Sequence, residues 1–193
     1  MESKKRKIII ISTVGLIYDG ITSVILSYLQ AMDLSEFDIY IAGTIKIEPN
    51  IRKKIEQLGC SVVELPSRRK NPARYFLALT YFIWKNRIKV MHAHGNSATL
   101  AIEMLSGWIS GCKKRIAHSH NTQCEQVKAD KILRPVFNLF YTDALACGDA
   151  AGKWLFGNQK FMVLQNGRDI DLFAYDPKMR KKMREKYAVS DIA

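Results

Sequence analysis

The 193 residues are 48% hydrophobic, enough for one good core, and leave little room for a second full domain. Thirty Lys and Arg against 18 Asp and Glu give a net charge of +12, which favours an anionic partner such as a phosphate or a lipid headgroup. No stretch reaches the ~20 apolar residues of a bilayer span. Cys60, Cys112, Cys124 and Cys147 form no Cys-x-x-Cys pair, which argues against a zinc ribbon or a redox pair and suits reduced thiols in a cytoplasmic protein.

In chain order, a basic cluster, Lys4, Lys5, Arg6 and Lys7, precedes four isoleucines in KIIIIST, 7–13. That order imitates a secretory leader, but no small-residue cleavage site follows, and an isoleucine run suits a buried parallel strand. The loop 13–23 holds Gly15 and Gly20 and runs into a helix, so its backbone N–H groups can face a phosphate. Its spacing is not the G-x-G-x-x-G of dinucleotide sites. Helical spacing follows over 20–32, then a strand at 37–43, a helix at 50–59 and a strand at 60–65.

The next helix, 72–87, opens behind Arg68, Arg69, Lys70 and Arg74 and carries Tyr75, Phe76, Tyr81, Phe82 and Trp84. Basic and aromatic residues together suit an anionic bilayer surface; a helix packed on the sheet is the alternative, and the two are compatible if one face packs. Beyond it come a strand at 88–94, a helix at 96–111, strands at 114–119, 143–148 and 161–165, and helices at 128–141 and 149–157. Strand and helix alternating this often predict an α/β fold: a doubly wound, mostly parallel Rossmann-like sheet with helices on both faces. Six Lys and Arg between Lys178 and Lys186 then predict a basic exposed helix in the tail.

All four histidines fall in His-x-His pairs at strand ends, His92 with His94 and His118 with His120. Side chains two apart on a strand share a face, and ligands of open α/β sheets bind beyond the carboxyl ends of the strands. Two readings follow. Pairs on neighbouring strands can bind zinc or nickel, but a catalytic metal usually adds a carboxylate or an open water position, and the nearest acidic residue after the second pair is Glu125. The expectation is therefore no metal and no cofactor. In the other reading His92 and His118 are partly buried, hydrogen-bonded core residues, while His94 and His120, beside Gly95 and Asn121, reach the crevice. A neutral imidazole there can hydrogen-bond a sugar hydroxyl.

On three stretches the chain resembles the N-terminal half of retaining GT-B glycosyltransferases of bacterial capsule and exopolysaccharide synthesis (glycosyltransferase family 4-like). These are HAHGNSATLAIEMLSGWISGCKKRIAHSHNTQ, LRPVFNLFYTDALACGDAAGKWLFG and VLQNGRDIDLF. The resemblance runs over essentially the whole chain but about half of a typical member. It implies an acceptor-binding domain over 1–173 and a basic helical tail over 174–193 at the junction, with the donor-binding domain outside this chain, so that this chain alone is inactive. It also implies a hexosyl transfer from a nucleotide sugar, most plausibly UDP-linked, to a lipid-linked saccharide. The enzyme would be cytoplasmic and peripheral on the inner face of the cell membrane.

Residue by residue, the resemblance makes His120 the strand-end histidine that contacts the donor sugar, the catalytic candidate. Gly20 matches the second glycine of the family's Gly-Gly loop. Asp19 replaces its partner and Thr22 the glutamate two residues on, and Asp19 opposes an anion. Asn166, Gly167, Asp169 and Phe173 match the interdomain segment, with Gln165 where proline is usual. The residues expected to meet substrate are Gly15, Gly20, His94, Asn96, Asn121 and Asn166. Glu48 with Glu56, and Glu56 with Glu64, have the spacing of the family's donor motif but not its loop-then-helix setting, so both are coincidental. The rivals are a metal-dependent hydrolase built on the histidine pairs and a nucleotide-binding module without catalysis. No helix-turn-helix, zinc finger or aromatic RNA-binding strand is present, and no nucleic-acid partner is expected.

Overall fold

The computed structural model describes residues 5–189; the first four residues of the chain, and residues 190–193 of the predicted tail, lie outside them. Seven strands appear in the predicted places: β1 (Arg6–Ser12), β2 (Phe37–Gly43), β3 (Ser61–Glu64), β4 (Val90–His94), β5 (Lys114–Ser119), β6 (Asp143–Ala146) and β7 (Met162–Val163). Between and after them run α1 (Gly20–Ala31), α2 (Pro49–Gln57), α3 (Pro72–Asn86), α4 (Ala101–Ile109), α5 (Val127–Phe140), α6 (Asp149–Phe156) and α7 (Pro177–Tyr187). The sheet order is β3-β2-β1-β4-β5-β6-β7, and every strand pair is parallel. This is the doubly wound Rossmann order with its reversal between β1 and β4.

The two sheet faces bury different helices. Ile9, Ile11, Met91, Ala93 and Ala117 pack with Tyr75, Leu79 and Ile83 of α3, Met104 of α4, Phe137 of α5 and Leu155 of α6. Ile39 and Ile41, whose strand partners are Ile8 and Ile10, pack with Ile21, Ile25 and Leu29 of α1 and Ile51 and Ile55 of α2. Strand periodicity puts residues of opposite parity on opposite faces, so His92, His94 and His118 share the α1 side of the sheet. There Val90, Ile116 and Leu145 are half-buried and belong to neither core cluster.

Local departures from the sequence expectations have visible causes. The helix expected from 96 begins as a 3-10 turn at Ala98–Leu100, because the buried Asp130 of α5 accepts the Ala98 N–H at 2.6 Å and caps the first turn. The strand expected at 161–165 shrinks to two residues. Phe161 instead turns inward to lie on α6, where a Cβ at Gly152 would stand 2.2 Å from its ring.

Helix α3 both packs and exposes a face. Tyr75, Leu79 and Ile83, four apart, are fully buried, while Leu77, Tyr81 and Trp84 are 66%, 56% and 65% exposed. The basic residues before it divide as well. Arg68 is an internal counter-ion: its Nε lies 2.8 Å from Oε1 of the fully buried Glu103, and its Nη2 donates to the Thr99 carbonyl. The Tyr75 hydroxyl donates to the same Oε1 at 2.9 Å. Arg68 and Tyr75, expected at a membrane surface, are thereby withdrawn from it, because a buried carboxylate needs its partners. Arg69, Lys70 and Arg74 stay exposed, Arg69 in an ion pair with Glu125 at 3.0 Å.

Gly152→Ala is expected to destabilise the domain by about 1–3 kcal/mol through overpacking against Phe161. Equilibrium urea unfolding measures it, and an unchanged midpoint would mean that Phe161 moves aside freely.

Candidate functional site

The site is built by one register. In the parallel pair β4–β5 the partner of His94 is His118 and that of His92 is Ile116. Alternation on each strand then lines up His92, His94, His118 and His120 on one side. Neighbouring rings are 4.1–5.2 Å apart between centroids. Two nitrogen–nitrogen hydrogen bonds cross between the strands, His92 Nε2 to His118 Nδ1 at 3.1 Å and His94 Nδ1 to His120 Nε2 at 2.8 Å. Each requires one neutral ring to donate and the other to accept.

Burial decides the charge of the group. Desolvation pushes the pKa of His92 down to about 4 and that of His118 to about 2, with the neighbouring imidazoles adding to both. It holds His94 well below its usual range. His120 is lowered to about 4 by burial, against an opposing pull from the Asp19 carboxylate. At neutral pH all four rings are uncharged. Their hydrogen bonds replace the water that exposed imidazoles would hold.

The expected site residues are not equally placed. His120 is half-buried at the open end of β5, and its backbone N–H donates to Asn96 Oδ1 at 3.2 Å. His94, expected to reach the crevice, is 1% exposed and reaches it only through His120. His92 is half-buried and His118 fully buried, hydrogen-bonded to each other on the less covered sheet face. Gly15 is buried at φ +97°, and a Cβ there would stand 2.7 Å from the Lys46 carbonyl oxygen. Its role is therefore in the turn rather than at a ligand. Gly20 is open, but Asp19 caps α1 by accepting the Thr22 N–H at 2.7 Å, so that donor is already used. Asn121 is exposed, its Oδ1 accepting the Thr122 N–H at 2.8 Å. Asn166 is exposed on a segment laid against α1, where the Tyr28 hydroxyl donates to the Gln165 carbonyl and Arg168 Nη1 donates to Ser27 Oγ at 3.2 Å.

Two supporting side chains escaped the sequence reading. Trp154 Nε1 donates to the Asn96 carbonyl at 2.9 Å, and Thr13 Oγ1 donates to the His94 carbonyl at 2.8 Å. Together they tie α6 and the β1 loop to the end of β4. The tryptophan stood in a motif quoted for resemblance, without a physical role assigned to it.

The match to solved structures follows this topology. HepE of Anabaena, determined with UDP and glucose, superposes at a TM-score of 0.69 with 16% identity, over 95% of this chain and 50% of that one. A glycosyltransferase of Rickettsia africae superposes at 0.66 with 15% identity, over 99% and 52%. The fold is that of one half of a GT-B glycosyltransferase. In sequence, the chain is 29% identical over 188 residues to EpsF of Bacillus subtilis (strain 168), provisionally named a glycosyltransferase, covering 89% of this chain and 47% of EpsF. The chain thus spans about half the length of the proteins it matches. No protein-family model matches it.

The neutral histidines give stability a definite pH dependence. Below the ordinary pKa of 6.5 the unfolded chain takes up protons that the folded chain refuses until about pH 4 at His92 and His120. Stability is fully present above pH 6.5 and is lost as the pH falls. In chelator, the urea midpoint is expected to drop between about pH 6.5 and 5, with up to ~1.4 kcal/mol per pH unit from each histidine. His92→Asn is expected to reduce that slope. A flat profile would show that the rings are protonated in the folded chain.

Proposed function

We propose that this domain is the acceptor-binding half of a retaining glycosyltransferase that moves a hexose from a nucleotide sugar, UDP-linked, to a lipid-linked saccharide at the inner face of the membrane. The observation that carries the reading is His120: an uncharged imidazole at the carboxyl end of a central strand, with Asn96 on one side and the Asp19–Gly20 turn on the other. Ligands of such sheets bind there.

In this reading the domain positions rather than ionises. His120 is held by His94 through one ring nitrogen and offers the other to a sugar hydroxyl as a neutral group. Because Asp19 occupies the Thr22 N–H, the start of α1 contributes little to the charge developing on the leaving diphosphate. That stabilisation falls to the donor-binding half. Catalysis then depends on bringing two half-sites together with the reacting atoms aligned.

The acceptor's lipid explains the surface of α3. Leu77, Tyr81 and Trp84 form an exposed apolar stripe at helical spacing, and Lys70 and Arg74 lie at the start of the same helix. Among the described residues no helix is long and apolar enough to cross a membrane, so contact is peripheral in this reading.

Two measurements test these points. In a two-domain protein containing this chain, His120→Ala is expected to lower turnover about a hundredfold, the scale of losing one positioned polar group, while the 193-residue chain alone transfers no sugar. Unchanged turnover in the variant, or transfer by the chain alone, overturns the assignment. For the membrane, co-sedimentation with vesicles rich in acidic lipid is expected to fall severalfold in Lys70→Glu/Arg74→Glu and again in Trp84→Ser, and to weaken with salt. Binding that ignores both the charge and Trp84 removes α3 from the interface.

A further inference from the structure

The four histidines form more of a site than sugar contact requires. One ring nitrogen from each of His92, His94 and His118 lies within 4.8 Å of the other two. His118 is fully buried, yet its Nε2 has no hydrogen-bond partner among the described residues. An orphan buried nitrogen is disfavoured, because it has lost its water without gaining a partner, so its presence here asks for something that completes it. Neutral imidazoles each keep one lone pair, the form in which histidine binds metals.

The geometry points to a binding site for one zinc-class transition-metal ion between β4 and β5, held by His92, His94 and His118. Zn–N bonds of ~2.0–2.1 Å place tetrahedral ligand nitrogens ~3.4 Å apart, within the span these nitrogens already occupy. Small ring rotations that break the two imidazole–imidazole hydrogen bonds close the rest of the gap. His120, 2.8 Å from His94, lies next to the remaining coordination position, which falls to its ring or to water. Nitrogen ligands without a carboxylate select zinc, cobalt, nickel or copper over magnesium and calcium, which require oxygen. The ion enters from the side of His92, where Val90 and Ile116 leave the sheet half-covered. Three parts of the site, two on one strand and one on its neighbour, are set by the sheet itself, so binding needs no folding of a loop.

The site shares His94 with the hydrogen bond that holds His120 in the proposed sugar transfer, but metal binding does not depend on that reading and is tested without any sugar. Because the chain contains only these four histidines, untagged protein has no other imidazole to confuse the result. Titration of the 193-residue chain with cobalt(II), followed by visible d–d absorption, is expected to saturate at one ion per chain. Zinc is expected to displace the cobalt and to raise the melting temperature by about 5–10 °C at a hundredfold excess over Kd, with magnesium inert. His92→Asn, at a half-buried position and checked for native circular dichroism, is expected to weaken binding at least tenfold; His94→Asn serves as the second variant. Absence of saturable cobalt binding overturns the site. So does binding that survives both variants, which would place the metal on the cysteines.

Discussion

Everything distinctive about this molecule depends on the pairing of β4 with β5 in one register, His94 opposite His118. A parallel sheet fixes which residues are neighbours with a period of two. A slip of one residue would send one pair of histidines to the face packed by α3, α4 and α5 and leave the other behind. In the observed register two cross-strand hydrogen bonds join the rings in pairs. The same contacts that expel water keep them neutral, and a cationic stack at this spacing would be self-repelling. Burial, mutual hydrogen bonding and loss of charge are three aspects of one arrangement.

The β1 end and α6 hold that arrangement from outside. Thr13 binds the His94 carbonyl, the Asn96 side chain binds the His120 N–H, and Trp154 binds the Asn96 carbonyl. His120 therefore sits at the end of a chain of contacts that begins in three different elements. Its freedom is small although its position is partly open.

The order of strands and helices was legible because each element carries its own periodicity and the alternation leaves few topologies. The pairs His92–His94 and His118–His120 were legible for the same reason. That they meet was not, since register between strands 26 residues apart leaves no mark in either strand alone. Arg68 shows the same limit. Beside Arg69, Lys70 and Arg74 it reads as one charge of a surface cluster, and only the fold brings it to Glu103, whose place on an apolar helix gives no sign of a partner. Gly15 and Gly20 look equivalent in a loop, but one is needed for a left-handed turn against Lys46 and the other lies beside a capped helix start.

The sheet ends in short strands at both margins, β3 with four residues and β7 with two. An edge strand is an open row of backbone donors and acceptors on which another chain can add. Here each row is too brief to grip a newcomer, and Glu64 at the end of β3 is engaged by Arg52. The isoleucine-rich strands β1 and β2 lie inside the sheet, covered on both edges by neighbours, and the short outer strands offer little template for fibrous growth.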